Sequence, residues 1–241
     1  MRPLADRLWW VDEVAAGAGV YLWQDEQGLI LFDTGTPWHA HAILRTISRE
    51  GFDPSRIHHI MITHADMDHI GGLRTLREAS QARIVCHAVT GAILQGRLHR
   101  PLGLGLVGRL IAGPSRFLMK TVFRCIPIEA DDLIVGDRML PGGFQAIFTP
   151  GHCPGHTSYY HPETRVLITG DAIHNRARML GLPPALLLPD RAAAVRSVEK
   201  LARLDVGLIC FGHGEPITEG ASAQLRALAQ RLQAAVASQP G

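Results

Sequence analysis

The chain has 241 residues, 46% of them apolar and 19% charged, with a formal net charge of +2. That suffices for one substantial domain or two small ones with a filled core, and the small, scattered basic excess argues against a nucleic-acid partner. The opening MRPLADRLWWVDEVAAG has no unbroken apolar run before a small-residue cleavage site, so no export signal is expected and the expected location is cytoplasmic.

Val20 to Trp23, the turn-like DEQG and Leu29 to Phe32 predict a hairpin that ends at Asp33-Thr34-Gly35. A helix should follow, with Thr36 as N-cap, Pro37 at its first position, Ile43, Leu44 and Ile47 on one face, and Gly51 as its stop. Ile57 to Thr63 predicts a buried strand, and 70 to 79 a helix. Arg83 to His87 predicts a short strand, then an irregular stretch to about 130, then a strand at 144 to 148 and the loop TPGHCPGHT. YYHPETRVLITGD reads as a hairpin, and the chain closes helix (190 to 204), strand (206 to 211), loop GHGEP, helix (219 to 237). No fixed-period repeat or Ser/Gly/Pro-rich linker divides the chain, so a single domain over 1–241 is expected.

Chemistry-bearing residues collect at the predicted strand ends. Asp33 follows LILF, the run His64, Asp66, Asp68 and His69 follows IMIT, His152 follows AIFTPG, Asp171 follows VLITG, and His213 follows LICFG. Imidazole and carboxylate suit borderline-to-hard divalent ions, and loops held by rigid strands can aim them at one point. The four cysteines, Cys86, Cys125, Cys153 and Cys210, form no CxxC pair and read as reduced thiols. Cys153, beside His152, reads as a small space-filling residue.

The order DTG, THxDxDHxGG, PGHxPGHT, TGD, GHG, over about residues 20 to 215, resembles the metallo-β-lactamase superfamily. The resemblance implies an α/β fold, a four-layer αββα sandwich of two mixed β-sheets with helices outside. It also implies a site for two divalent ions, most simply zinc, with manganese or iron as alternatives. His64, Asp66 and His152 would hold the first, Asp68, His69 and His213 the second, and Asp171 would bridge them, with Asp33 a structural loop residue nearby. His156 is similar to the family's second loop histidine and would brace its loop. Two metals sharing a water would present a metal-bound hydroxide to an electrophilic centre, with Asp68 accepting its proton and Asp171, between the metals, as the other catalytic carboxylate.

The family's commonest motif has histidine where this chain has Asp66. Asp66 either ligates through a carboxylate oxygen, or is too short and leaves the first site weak, or marks a degenerate site. If it ligates, three carboxylates make the first metal a weaker Lewis acid, and a histidine there should retain or raise zinc affinity.

Residues 88 to 130 resemble the family least. They are rich in leucine and arginine, broken by glycine and proline, and interrupted by Arg109 and Arg116, so they do not form a membrane span. They read as a lid-like insertion, a dimer contact giving a homodimer, or a membrane-surface segment without stable insertion. With the second apolar stretch, MLGLPPALLLP at 179 to 189, they suggest a pocket wall. His174 either faces that pocket or lies on the surface, and His39, His41, His58, His59, His87, His99 and His161 read as ordinary residues.

The expectation is therefore a metal-dependent hydrolase of a small-molecule carboxylic ester, lactone or thioester with an apolar portion. The alternatives are a lactam or phosphoester hydrolase of the same superfamily, or a diiron redox protein of flavodiiron-like type without its flavin domain.

Overall fold

Leu29, Ile30, Leu31 and Phe32 are consecutive and apolar, yet the fold sends them to two different cores. Side chains alternate across a strand, so Leu29 and Leu31 join one buried cluster while Ile30 and Phe32 join another. A strand covered on both faces reads as an unbroken apolar run. The computed structural model describes residues 1–12, 18–103, 105–122, 124 and 126–237; Cys125 and the side chain of Arg109 lie outside them.

The first sheet runs in spatial order β1 (Arg2–Ala5), β2 (Leu8–Trp10), β3 (Tyr21–Gln24), β4 (Leu29–Phe32), β5 (Ile57–Met61), β6 (Arg83–His87) and β7 (Asp132–Ile134). Its first four strands pair antiparallel and the last four parallel. The second sheet is formed by β8 (Arg138–Met139), β9 (Gln145–Phe148), β10 (Thr157–His161), β11 (Val166–Ile168) and β14 (Leu208–Cys210), in the order β14-β11-β10-β9-β8. A separate ribbon pairs β12 (His174–Arg176) with β13 (Met179–Gly181).

Three cores separate four layers. Outside the first sheet lie α1 (Ala40–Arg49), α3 (Leu73–Ser80) and α4 (Ala88–Leu94), whose Ile43, Ile47, Leu76 and Leu94 pack on Leu31 and Ile60. Between the sheets, Trp23, Phe32, Phe144 and Tyr159 interlock, with Phe144 4.8 Å from Phe32 and 5.1 Å from Trp23 between ring centroids. Outside the second sheet, α6 (Arg191–Leu201) and α7 (Ala221–Ala237) cover Leu167 and Ile209 with Val198, Leu201, Leu225 and Leu228. The expected αββα sandwich of two mixed sheets is the observed fold.

Several local expectations differ. Helix α1 begins at Ala40 behind His39, not behind Thr36, because a tight turn comes first: His39 N–H donates to Thr36 O at 3.1 Å and Thr36 Oγ1 sits 2.8 Å from His39 Nδ1. The helix expected at 70 to 79 is two, α2 (Met67–Ile70) and α3, divided at Gly71-Gly72. A Cβ on Gly71 would stand 2.3 Å from Pro37 N, so the backbones meet there and only glycine fits. The stretch expected to be irregular contains α4 and α5 (Gly105–Phe117); α5 runs through Pro114, the residue that argued against a helix. Strands β1, β2, β7, β8, β12 and β13, two to four residues long, show neither alternation nor an unbroken apolar run of about four or more residues. No helix among the described residues is long and apolar enough to cross a membrane.

Phe144→Ala should cost about 3–5 kcal/mol of unfolding free energy in urea denaturation, against at most about 0.5 kcal/mol for Leu110→Ala on exposed α5. A Phe144→Ala loss as small as the Leu110→Ala loss would contradict a shared core between the sheets.

Candidate metal centre

Strand polarity creates the site. Strands β4, β5 and β6 run parallel, so their C-terminal ends share one edge of the first sheet. In the second sheet β9 and β11 both pair antiparallel with β10, and β14 pairs parallel with β11, so β9, β11 and β14 end along one edge too. The loops carrying Asp33, His64 to His69, His152, Asp171 and His213 all follow these ends.

The structure brings all seven predicted site residues together. His64 Nε2 is 3.0 Å from His152 Nε2 and 3.6 Å from Asp66 Oδ2, and Asp66 Oδ2 is 3.1 Å from His152 Nε2. On the other side His213 Nε2 is 3.1 Å from Asp68 Oδ2 and 3.4 Å from Asp171 Oδ2. Asp171 stands between the groups, with Oδ1 3.4 Å from His69 Nε2 and Oδ2 3.7 Å from His152 Nε2. A tetrahedral ion bonded at about 2.0–2.2 Å spaces its ligand atoms about 3.3–3.6 Å apart, the same scale. His64, Asp66 and His152 form one cluster able to hold an ion; Asp68, His69 and His213 form another.

Hydrogen bonds fix which nitrogen faces the centre. Asp33 Oδ1 accepts from Thr63 N–H at 2.8 Å, and its Oδ2 accepts from Thr63 Oγ1 at 2.8 Å and from His69 Nδ1 at 2.7 Å. Because the Thr63 hydroxyl gives its proton to Asp33, its oxygen accepts from His64 Nδ1 at 3.0 Å. Both imidazoles therefore turn their Nε2 atoms inward, the arrangement that orients metal-ligating histidines. Among the described residues, the buried atoms His69 Nε2 and Asp171 Oδ1 have no hydrogen-bond partner. Buried polar atoms left without partners are costly, and a cation between them would satisfy both.

Without an ion the local charges differ between the rings: where carboxylates raise an imidazole, it holds a proton that a bound cation would displace. Burial holds the His64 imidazole down to about 4, aided by His69, so it is neutral at pH 7. Burial also opposes charge on His69, but Asp33, Asp171 and Asp68 outweigh it and raise its pKa. For His213, burial is overcome by hydrogen bonds to Asp171 and Asp68, which raise it to about 9. Burial would raise Asp66 too, and the Arg100 charge beside it carries it well below the usual carboxylate range.

His156 braces the loop, as expected. Its Nε2 accepts from Asp171 N–H at 3.0 Å, so Nδ1 donates to Thr149 Oγ1 at 2.9 Å. Cys153 is fully buried, and burial pushes its thiol up to about 11, as suits a packing residue. His174 is buried, with Nε2 3.1 Å from Asp171 Oδ2, so it is not a surface residue.

The sequence reading missed Arg100. It forms a two-pronged pair with Asp66, Nε to Oδ1 at 2.5 Å and Nη2 to Oδ2 at 2.9 Å, with Nη2 also 3.0 Å from His152 Nε2. Nothing in its local sequence marks it; only a carboxylate in a histidine slot hinted at a compensating cation. Beside it a cavity of about 280 Å³ opens onto Asp66 and Asp68, walled by Leu98, Leu102, Ile111, Leu186 and Leu187. Both apolar stretches singled out in the sequence thus reach one pocket.

The profile of the metallo-beta-lactamase superfamily matches residues 18–213. A Bacillus subtilis (strain 168) protein described as "Probable metallo-hydrolase YflN" is 28% identical over 235 residues, covering 89% of this chain and 88% of that one. The N-acyl homoserine lactonase AiiA of Bacillus thuringiensis subsp. kurstaki is 24% identical over 225 residues, covering 80% and 79%. Among solved structures, BJP-1, a subclass B3 metallo-beta-lactamase of Bradyrhizobium japonicum, superposes with a TM-score of 0.69 at 21% identity, covering 98% of this chain and 93% of that one. That likeness is one of fold.

A Cβ on Gly212 would fall 2.0 Å from Asp171 Oδ1 and 2.9 Å from His69 Cε1, whereas one on Gly207 would meet Arg165 Cβ at an ordinary 3.5 Å. Gly212→Ala should therefore destabilise by about 1–3 kcal/mol and Gly207→Ala by less than about 0.5 kcal/mol in thermal unfolding. Equal effects would show that the space beside Asp171 is not constrained.

Proposed function

The chain belongs to the metallo-beta-lactamase superfamily and is a metallo-hydrolase, and from that premise we propose that it cleaves a small carboxylic ester, lactone or thioester with an apolar portion. The observation that carries this reading is the leucine-lined cavity opening onto Asp66 and Asp68. Such a wall receives an acyl chain or ring by burial, while the polar end meets the charged floor. The similarity to a lactonase supports the substrate class.

His64, Asp66 and His152 would hold one divalent ion and Asp68, His69 and His213 a second, with Asp171 shared. Four imidazoles among the donors favour zinc, with manganese or iron as the alternatives that oxygen donors admit. Such ions lower the pKa of water toward neutrality and polarise a carbonyl oxygen.

The protein's own groups do the rest. Asp33 and Thr63 hold the His69 and His64 rings with Nε2 inward. His156 fixes the backbone of Asp171. Asp68 lines the pocket and is partly exposed, so its carboxylate can take up a proton released during attack. Ile111, Ser115 and Arg116 bring the insertion over the pocket, where it acts as a lid that keeps bulk water from the reacting bond.

Dialysis against a chelator should abolish hydrolysis of acyl lactones, esters and thioesters, zinc should restore it, and longer acyl chains should be preferred over acetyl. Turnover that survives metal removal would sink this reading. Asp33→Asn, which keeps the left-handed backbone found there (φ 55°), should lower zinc affinity about 10- to 100-fold by freeing His69; unchanged affinity would contradict the orienting role.

A further inference from the structure

Asp66 is not an isolated carboxylate. Its two oxygens take the two prongs of Arg100, in a pair whose side chains are 18% and 11% exposed. Taking both charges from water is costly unless each has the other, so removing one partner leaves an uncompensated buried charge. The segment that delivers Arg100 is itself fixed. Gly103 N–H donates to Leu186 O at 2.8 Å, and a Cβ at 103 would lie 2.1 Å from Ala185 O, so 98–103 lies tightly against 185–187. Arg100 also donates through Nη1 to Pro101 O, its own neighbour. The guanidinium is held in place rather than sampling solvent.

Charge shows what this arrangement does. The commonest family motif has two carboxylates, at the positions of Asp68 and Asp171, and a neutral histidine where Asp66 stands. Asp66 alone would add a negative charge to that set, and Arg100 removes it.

Resting on the metal reading above, we propose that Asp66 and Arg100 act as one electrically neutral unit in place of the third histidine, so that Arg100 sets how tightly the His64–Asp66–His152 site holds its ion. Arg100 is a positioning residue: it holds Asp66 by both oxygens beside His64 and His152, with Nη2 itself 3.0 Å from His152 Nε2, and it offsets the Asp66 charge. This reverses two expectations drawn from sequence alone. The first ion is not weakened as a Lewis acid by an uncompensated third carboxylate, and a histidine at 66 does not retain zinc affinity, because it strands a buried cation next to a dication.

The test is the stepwise zinc affinity, read by chelator competition, of the wild type, Asp66→His, Arg100→Met and Asp66→His/Arg100→Met. Arg100→Met should tighten the weaker step about tenfold or more, Asp66→His should loosen it by a similar factor, and the double variant should return to within about threefold of wild type. Arg100→Lys, which keeps the charge but cannot grip both Asp66 oxygens, should fall between wild type and Arg100→Met. A weaker step left unchanged or loosened by Arg100→Met, or a double variant that binds no tighter than Asp66→His, would overturn the pairing and leave the hydrolase reading standing; failure of every protein, wild type included, to bind zinc would overturn both. If Arg100→Met does not fold, the comparison of Asp66→His with the double variant still decides, since no buried carboxylate is left unpaired there: absence of tightening on loss of Arg100 refutes the unit.

Discussion

Three hydrogen bonds accepted by the Asp33 carboxylate hold the geometry on which the site depends. One ties β4 to β5 through the Thr63 backbone, one sets the Thr63 hydroxyl, and one orients His69. Through Thr63 the same carboxylate also sets His64. A single buried acid thus decides that two imidazoles present their Nε2 atoms to the same small volume. Those nitrogens and the oxygens of Asp171 form a concentration of lone pairs in a nearly dry space. Such an assembly is stable with cations among it and strained without them, and this couples the fold to metal.

The fold was legible where the chain is buried on both faces. LILF, the run around Ile60 and VLI announce central strands, and glycine and proline mark their ends. Short edge strands such as β8 and β12 carry too few residues for alternation to show, and they form because neighbouring strands offer ladder partners. Helix α5 was hidden by its glycines and Pro114, whose local preference gave way to tertiary context. In the site, the seven acids and imidazoles could be picked out because they follow strand ends in an ordered set of short motifs. Arg100 could not. It lies 34 residues from Asp66, in a segment with several other arginines, and an ion pair between distant residues leaves no periodic trace.

Arg100 links the two halves of the functional picture. The segment that lines the pocket also carries the Arg100 charge beside Asp66, so the pocket wall and the candidate metal centre share one piece of chain. Leu98 and Leu102 flank Arg100 and face the same cavity as Leu186 and Leu187. A change in how 98–103 lies against 185–187 would alter pocket shape and site charge together.

The central claim is that these seven side chains converge on metal. A crystal structure of zinc-loaded protein, with diffraction recorded on both sides of the zinc absorption edge, tests it most directly. The account predicts anomalous density within about 2.0–2.2 Å of His64, Asp66 and His152, and again beside Asp68, His69 and His213, with Asp171 reaching both. Anomalous density that lies elsewhere, or none at all in protein saturated with zinc, would contradict it.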